Sequence, residues 1–461
     1  MIAALKPYEE YKETGLPWAP VVPKHWKTRR SKVLFRERVQ KGFPDEPLLA
    51  ATQSKGVVRK EDYGERTVTV TKDFHLLKLV EKGDFVISLR SFEGGIEISH
   101  TRGIISPAYT VLAARDEAKN SFFKHFFKSR DFIQSLTLFV TGIREGQNID
   151  YERLSRAELP LPTDQEQELI GRFLDHAHGR IDRAIRAKRK VIALLNEQKQ
   201  AIIHKAVTRG LNPDAPLKPS GIPWLGDIPA HWEQHALWTL SKLRVERNPG
   251  NLSLLSVFLD RGVIRYEEGG GQVHAPSLDL SNYQVVQKGD FVLNNQQAWR
   301  GSVGVSVHHG IISPAYIVLS MSNKLDPNFA NYLMRSRAMV DQFVAASKGV
   351  GDIQRQVFWP FLRHVQVPVP SLEEQKAIVE LLAVDTRGLE TAISRTEREI
   401  ALMQEYRTRL TADVVTGKLD VREAAKSLPS ESPEDLSGSA FDSTDLEPDL
   451  AEEEELEEVE G

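Results

Sequence analysis

The 461-residue chain contains no cysteine. That absence excludes disulfides, thiolate metal sites and a cysteine nucleophile, and it fits a reducing compartment. No apolar run reaches the roughly 18 residues a membrane span needs. The opening stretch has no basic region leading into an apolar run, so neither a secretory signal nor a membrane partner is expected, and a cytoplasmic protein is. Catalytic signatures are equally scarce. There is no Gly-x-x-x-x-Gly-Lys-Ser/Thr phosphate loop, no His-Glu-x-x-His pair and no Asn/Asp-Pro-Pro-Tyr tetrad. Pro44-Asp45 lacks the following acidic-x-Lys strand of a common nuclease core, and His308-His309 has no spaced acidic partner. The Gly94-Gly95 and Gly269-Gly270-Gly271 clusters read as turns.

What the chain does have is length for two or three domains and an uneven charge. The net charge is −4, yet Glu431–Gly461 holds 14 acidic residues and no Lys or Arg. Residues 1–430 therefore carry 60 basic against 50 acidic side chains, a net of +10. A basic body with an acidic tail fits a polyanionic partner, although solubility alone would also account for it.

An internal repeat of about 206–208 residues organises the sequence. Gly15-Leu16-Pro17-Trp18 returns as Gly221-Ile222-Pro223-Trp224, and Pro23-Lys24-His25-Trp26 as Pro229-Ala230-His231-Trp232. Lys82-Gly83-Asp84-Phe85-Val86 returns as Lys288-Gly289-Asp290-Phe291-Val292. The seven residues Gly103–Tyr109 return unchanged as Gly310–Tyr316. Pro160-Leu161-Pro162, then Glu166-Gln167, returns as Pro368-Val369-Pro370, then Glu374-Gln375. In each copy, short β-branched and aromatic runs punctuated by Gly, Pro, Asp and Asn predict short strands. Helices are expected near 120–135 and 328–345. Each copy then ends in a long stretch almost free of Gly and Pro, with one apolar stripe at helical spacing. The first stripe includes Phe173, Ile181, Ile185, Ile192, Leu195, Ile202 and Ile203. The second includes Leu381, Leu389, Ile393, Ile400, Met403, Leu410 and Val414. Such helices are marginal alone, so the two stripes are expected to pair as an antiparallel coiled coil. Gly210 and Gly417 are the expected C-caps.

The expected fold is thus α+β: two similar, strand-rich mixed α/β domains separated by two long antiparallel coiled-coil helices, with pseudo-two-fold internal symmetry. The boundaries are 1–165 for the first domain, 166–211 for the first long helix, and 212–372 for a connector and second domain. The second long helix covers 373–420, and 421–461 forms a disordered acidic tail.

The Gly-x-Pro-Trp…Pro-x-His-Trp motifs, the Gly-Ile-Ile-Ser-Pro-Ala-Tyr segments, the Pro-x-Pro…Glu-Gln helix starts and the Val207–Leu211 exit occur in the same order as in a known family. Over about residues 10–420 the chain resembles the specificity subunit of type I restriction–modification systems. The resemblance implies that each globular part is a target recognition domain reading one half of a split DNA sequence. It implies a noncatalytic chain that binds no cofactor itself. Two modification subunits would methylate adenine with S-adenosylmethionine, and two restriction subunits would use ATP and Mg2+ to translocate and cleave DNA. Identity is high at the scaffold motifs and low between them, so the resemblance implies two different half-sites.

Side chains that can fork onto base edges or hold phosphate, on loops beside the strands, are the candidate DNA contacts. In the first domain these are Lys55, Arg59 and Arg90, with Arg144, Gln147 and Asn148 in a Gly-flanked loop before the long helix. In the second they are Arg261 and Arg265, the Asn294-Asn295-Gln296-Gln297 run with Arg300, and Lys348 with Arg355. For Trp26 and Trp232, stacking on bases is weighed against a core position, and the core is expected. Tyr109 and Tyr316 are assigned to the scaffold. Two other readings stay open: a helical scaffold with no DNA role, which would show no salt-dependent DNA binding, and a hydrolase, for which no acid–base or metal cluster assembles.

Overall fold

The computed structural model describes residues 5–429 except 54, 64–72, 117, 142–147, 260, 270–275, 278 and 350–354. The predicted acidic tail beyond 429 lies outside the described residues. Contacts divide the chain into two units. One holds Met1–Lys188 with the chain from Arg398, and the other Arg189–Glu397.

In the first unit, strands Phe35–Glu37, Thr110–Ala114, Phe85–Ile87 and Glu97–Ile98 lie in that order in one antiparallel sheet. Successive side chains of a strand point to opposite faces. Phe85 and Ile87 accordingly enter a helical core with Phe35, Phe122, Phe123 and Phe126. Val86 enters a separate core with Leu49, Val57, Val80, Ile105 and Val111. The second unit repeats the plan with Ser241–Leu243, Tyr316–Met321, Phe291–Asn294 and Val303–Val305. There Phe291 and Leu293 face one core, and Val292 faces Leu255, Val257, Val263 and Val286.

The repeated motifs have matched jobs. Asp84 accepts hydrogen bonds from Arg38 Nε and Nη2 at 2.6 and 3.1 Å, and Asp290 accepts them from Arg244 at 2.6 and 2.9 Å. Each aspartate also caps its own turn, through Glu81 N–H and Gln287 N–H, both at 2.8 Å. Gly103 and Gly310 lie where a Cβ would run into the carbonyls of Pro47 and Ser253, so no larger residue fits. Gln167 and Gln375, both 0% exposed, donate to the Pro162 and Pro370 carbonyls and accept from Lys119 N–H and Asp326 N–H. These bonds tie the start of each long helix to its lobe.

The long helices are Asp164–Arg209 and Leu372–Val415. In the first unit Ile170, Phe173 and Leu174 of one helix and Leu410, Val414 and Val415 of the other enter the lobe core. Asp182 pairs with Arg407 at 3.0 Å and Lys188 with Glu399 at 2.5 Å, so one helix advances as the other retreats. In the second unit Ile203, Ala206 and Val207 meet Ile378 and Leu382 in the core, and Lys199 pairs with Glu390 at 2.7 Å. Two mixed α/β lobes and a pair of long helices packed antiparallel are therefore present, as expected.

Several details differ from the expectations. Leu381, placed on the apolar stripe, is 41% exposed, and Ile378 and Leu382 are buried instead. The short-helix regions are each two helices: Asn120–Phe126 with Arg130–Leu136, and Pro327–Met334 with Arg337–Ala345. Extended backbone at Ser129 and Ser336 breaks them. The tail does not start at 421. Arg422–Lys426 is helical, because Val421, Ala425 and Leu428 bury into the first lobe's core.

Gly210 and Gly417 adopt left-handed φ of 72° and 74° at the helix ends, as C-caps require. A Cβ at Gly417 would also collide with Pro23 and sit 3.2 Å from Trp26 Cη2, whereas one at Gly388 meets nothing within 4 Å. Gly417→Ala should therefore cost about 1–3 kcal/mol, while Gly388→Ala in the exposed helix should gain about 0.5–1 kcal/mol. Denaturant unfolding of both variants tests this, and equal midpoints for the two would contradict it.

Candidate nucleic-acid interface

In the first lobe the strand Phe85–Ile87 runs into Arg90 and the short helix Ser91–Gly94. Ser88 N–H donates to Ser91 Oγ at 2.8 Å, which shapes the turn and leaves Arg90 exposed. Beside it stands the hairpin Leu49–Thr52 with Gly56–Arg59, and Lys55 lies in its turn. The Lys55 ammonium sits 5.8 Å from the Tyr63 ring centroid, and Arg59 faces Glu61 at 3.5 Å. Lys128 joins these two features. Its ammonium donates to the Gln53 carbonyl at 2.8 Å, the Gly94 carbonyl at 2.6 Å and Glu97 Oε1 at 2.6 Å. Asn148 forms a short strand with Ile149 against the Ser91–Gly94 helix, its own Oδ1 accepting from Ile149 N–H at 2.9 Å. Lys55, Arg90 and Asn148 are thus arranged around one helical turn. Arg144 and Gln147 lie outside the described residues.

The second lobe gathers more of the candidates. Asn294 ends its strand and accepts from Gln296 N–H at 3.0 Å, leaving the Gln296 side chain exposed. The turn Ala298–Arg300 follows, and Trp299 Nε1 donates to the Gln296 carbonyl at 2.8 Å. The Arg300 guanidinium lies 4.6 Å from the Trp299 ring centroid, and that of Arg355 lies 5.4 Å from it. Val357 N–H donates to the Asn295 carbonyl at 2.7 Å, which docks the strand pair Ser347–Lys348 and Gln356–Val357 on the amide run. Lys348 sits 4.0 Å over the exposed Phe361 ring. Arg300 and Arg355 therefore share Trp299, next to Asn294 and Gln296, and the docked strand pair brings Lys348 with its own ring, Phe361. Arg261 is used locally: it stacks on Phe258 and donates to the Glu268 and Gly269 carbonyls at 3.0 and 2.8 Å. Arg265 is exposed at the end of its strand and has no side-chain partner among the described residues.

Sequence reasoning missed Trp299, Phe361, Lys128 and Arg335. Arg335 is the counterpart of Lys128: its Nη2 donates to the Leu259 carbonyl at 3.0 Å and pins the matching hairpin turn. The repeat offset places the two cations opposite each other, and that was the available signal. Trp26 and Trp232 are 0% and 1% exposed, so they are core residues and not stacking platforms.

A polar cleft of about 380 Å³ in the first unit is lined by His25, Thr163, Glu166, Asp420 and Arg422. It is built for joining. His25 Nε2 lies 2.9 Å from Glu166 Oε1, and Arg422 Nη2 lies 2.7 Å from Asp420 Oδ2. Burial pushes the Glu166 pKa up, but the His25 and Thr163 hydrogen bonds outweigh it and hold the carboxyl below its usual range. The same pair recurs as His231 and Glu374 at 2.9 Å, which marks it as scaffold. Among the described residues no group of three or more His, Cys, Asp or Glu could hold a metal ion. No helix among them is long and apolar enough to cross a membrane.

No family model matches the chain. The type I restriction enzyme MjaVIII specificity subunit of Methanocaldococcus jannaschii is 25% identical over 364 residues, covering 75% of this chain and 81% of that protein. The putative type I restriction enzyme MjaX specificity subunit of the same organism is 23% identical over 457 residues, covering 92% of this chain and all of that one. Over most of its length the chain is thus similar to type I restriction–modification specificity subunits. Its fold agrees with a chain from a study of assembly and conformational transition in the type I R-M system, at TM-score 0.59 and 14% identity over 86% of this chain and 99% of that one.

Glu97 gives the first lobe a pH-dependent stability. Burial outweighs the nearby Lys128 ammonium and pushes the carboxyl from 4.5 up to about 7. Between those values the folded state binds more protons than the unfolded one, so stability falls as pH rises through this window. Wild type should lose stability relative to Glu97→Gln as pH rises from 4.5 to about 7. Thermal midpoints across that range measure it, and parallel pH profiles for the two proteins would refute it.

Proposed function

We propose that this chain is a type I specificity subunit that binds double-stranded DNA and reads a bipartite target, one half with each lobe, for partner subunits that methylate adenine and cleave DNA. Two modification subunits supply the S-adenosylmethionine-dependent methylation, and two restriction subunits supply ATP- and Mg2+-dependent translocation and cleavage, in the cytoplasm. The first reading domain spans 1–165 and the second lies within 212–372.

The observation that carries this reading is one scaffold with two different surfaces. The Arg38–Asp84 and Arg244–Asp290 pairs hold equivalent turns in equivalent places. Yet the turn that presents Phe92 and Glu93 in the first lobe presents Trp299 and Arg300 in the second. A scaffold without a DNA role has no need to keep this turn while changing what it presents, with Arg90 exposed beside it in one copy and Gln296 and Arg300 in the other. Base edges are distinguished by such groups, while other cations hold phosphate and set the register. Joining two readers in one chain raises the effective concentration of the second half-site once the first is bound. The net charge of +10 over residues 1–430 supplies the salt-dependent attraction.

Long-read mapping of methylated adenine in host DNA, with and without this gene, tests the proposal. Deletion should abolish methylation at one two-part motif and restoration should return it. Methylation that persists unchanged while the partner methyltransferase is active would refute it.

A further inference from the structure

Exposed arginines do not all leave their donors available. Arg59 faces Glu61, Arg261 is spent on two backbone carbonyls, and Arg335 pins Leu259. Arg300 and Arg355 differ. Each guanidinium lies over Trp299, at 4.6 and 5.4 Å from the ring centroid, and neither donates a hydrogen bond or joins an ion pair among the described residues. The indole is itself fixed by its Nε1–H bond to the Gln296 carbonyl at 2.8 Å. Stacking orients a guanidinium without consuming its N–H groups, so the planar fork is pre-organised and little side-chain entropy remains to be lost on binding.

Resting on the DNA-reading function proposed above, we infer that Arg300 and Arg355, positioned by Trp299, each read a guanine in the half-site of the second lobe. A fork of parallel N–H donors matches guanine O6 and N7 in the major groove, and no other base offers two acceptors there. Lys348, a point charge resting on Phe361 at 4.0 Å, suits the adjoining phosphate. Among the described residues the first lobe lacks the device. Phe92 takes the place of Trp299 and is partly buried against the core, and Glu93, which can only accept, takes the place of Arg300. The guanine-reading pair is therefore assigned to the half-site of the second lobe.

The test uses the full chain with its partner methyltransferase and maps methylated adenine for wild type and for Arg300→Lys, Arg355→Lys and Trp299→Leu. Lysine keeps the charge, and with it phosphate attraction, but cannot make the fork. Each lysine variant should keep the first half-site intact and lose discrimination at one guanine of the other half-site by roughly ten- to hundred-fold. Trp299→Leu should relax both guanines together. The retained half-site reports that the variant is folded and bound. A wild-type motif in which neither half-site contains guanine overturns the inference, as does a motif unchanged in the lysine variants, or one that decays equally in both halves. A wild type that supports no two-part motif at all, beside an active methyltransferase, rejects the underlying DNA-reading function instead.

Discussion

Each lobe closes over a tryptophan that a glycine of a distant helix end must reach. In the first unit Trp26 is covered by the left-handed turn at Gly417, and in the second Trp232 by the one at Gly210. A Cβ at either glycine would lie 3.2 or 3.1 Å from the indole, so a larger residue would have to push the ring back while holding a left-handed φ that favours glycine. Beside each tryptophan a histidine grips the glutamate that opens the other long helix. One joint therefore takes the start of one helix and the end of the other. The antiparallel order of the helices, and the burial of Val414 and Val207 at 0% exposure, follow from it.

Much of this was legible in the sequence because the repeat exposes it. Motifs that return intact (Lys-Gly-Asp-Phe-Val, Gly-Ile-Ile-Ser-Pro-Ala-Tyr, Glu-Gln) are those whose side chains or missing side chains make tertiary bonds. The helix-terminal glycines were legible for the same reason, since a left-handed residue at a helix end restricts the choice of amino acid. What was hidden is what long-range contact decides. The stripe assignment failed at Leu381 because the lobe core, and not the partner helix, selects the buried face there. The Arg422–Lys426 helix was hidden because its burial depends on a core assembled from residues far away in sequence, and its own composition is polar.

The candidate interface was legible as residue types and not as an arrangement. An arginine in a loop looks the same whether its donors are spent or available. Arg261 and Arg300 are both exposed cations beside aromatic residues, and only the structure separates one that holds its own hairpin from one that rests on an indole with its donors unused. Lys128 and Arg335 have only their shared place in the repeat to mark them, because a cation bonded to backbone carbonyls has no sequence pattern of its own.

The first lobe's core contains Leu410, Val414, Val415 and Leu428 alongside Trp26 and Phe122. During synthesis the ribosome delivers Trp26 long before it delivers these residues. The nascent first lobe must therefore wait with an open apolar face while the whole second lobe emerges, and the second lobe, built from Arg189–Glu397, is the first able to finish. Domains commonly complete from the N-terminus during translation. Here the order is inverted, and a ribosome that stalls late in the message releases a chain with one finished lobe and one exposed to aggregation and proteolysis.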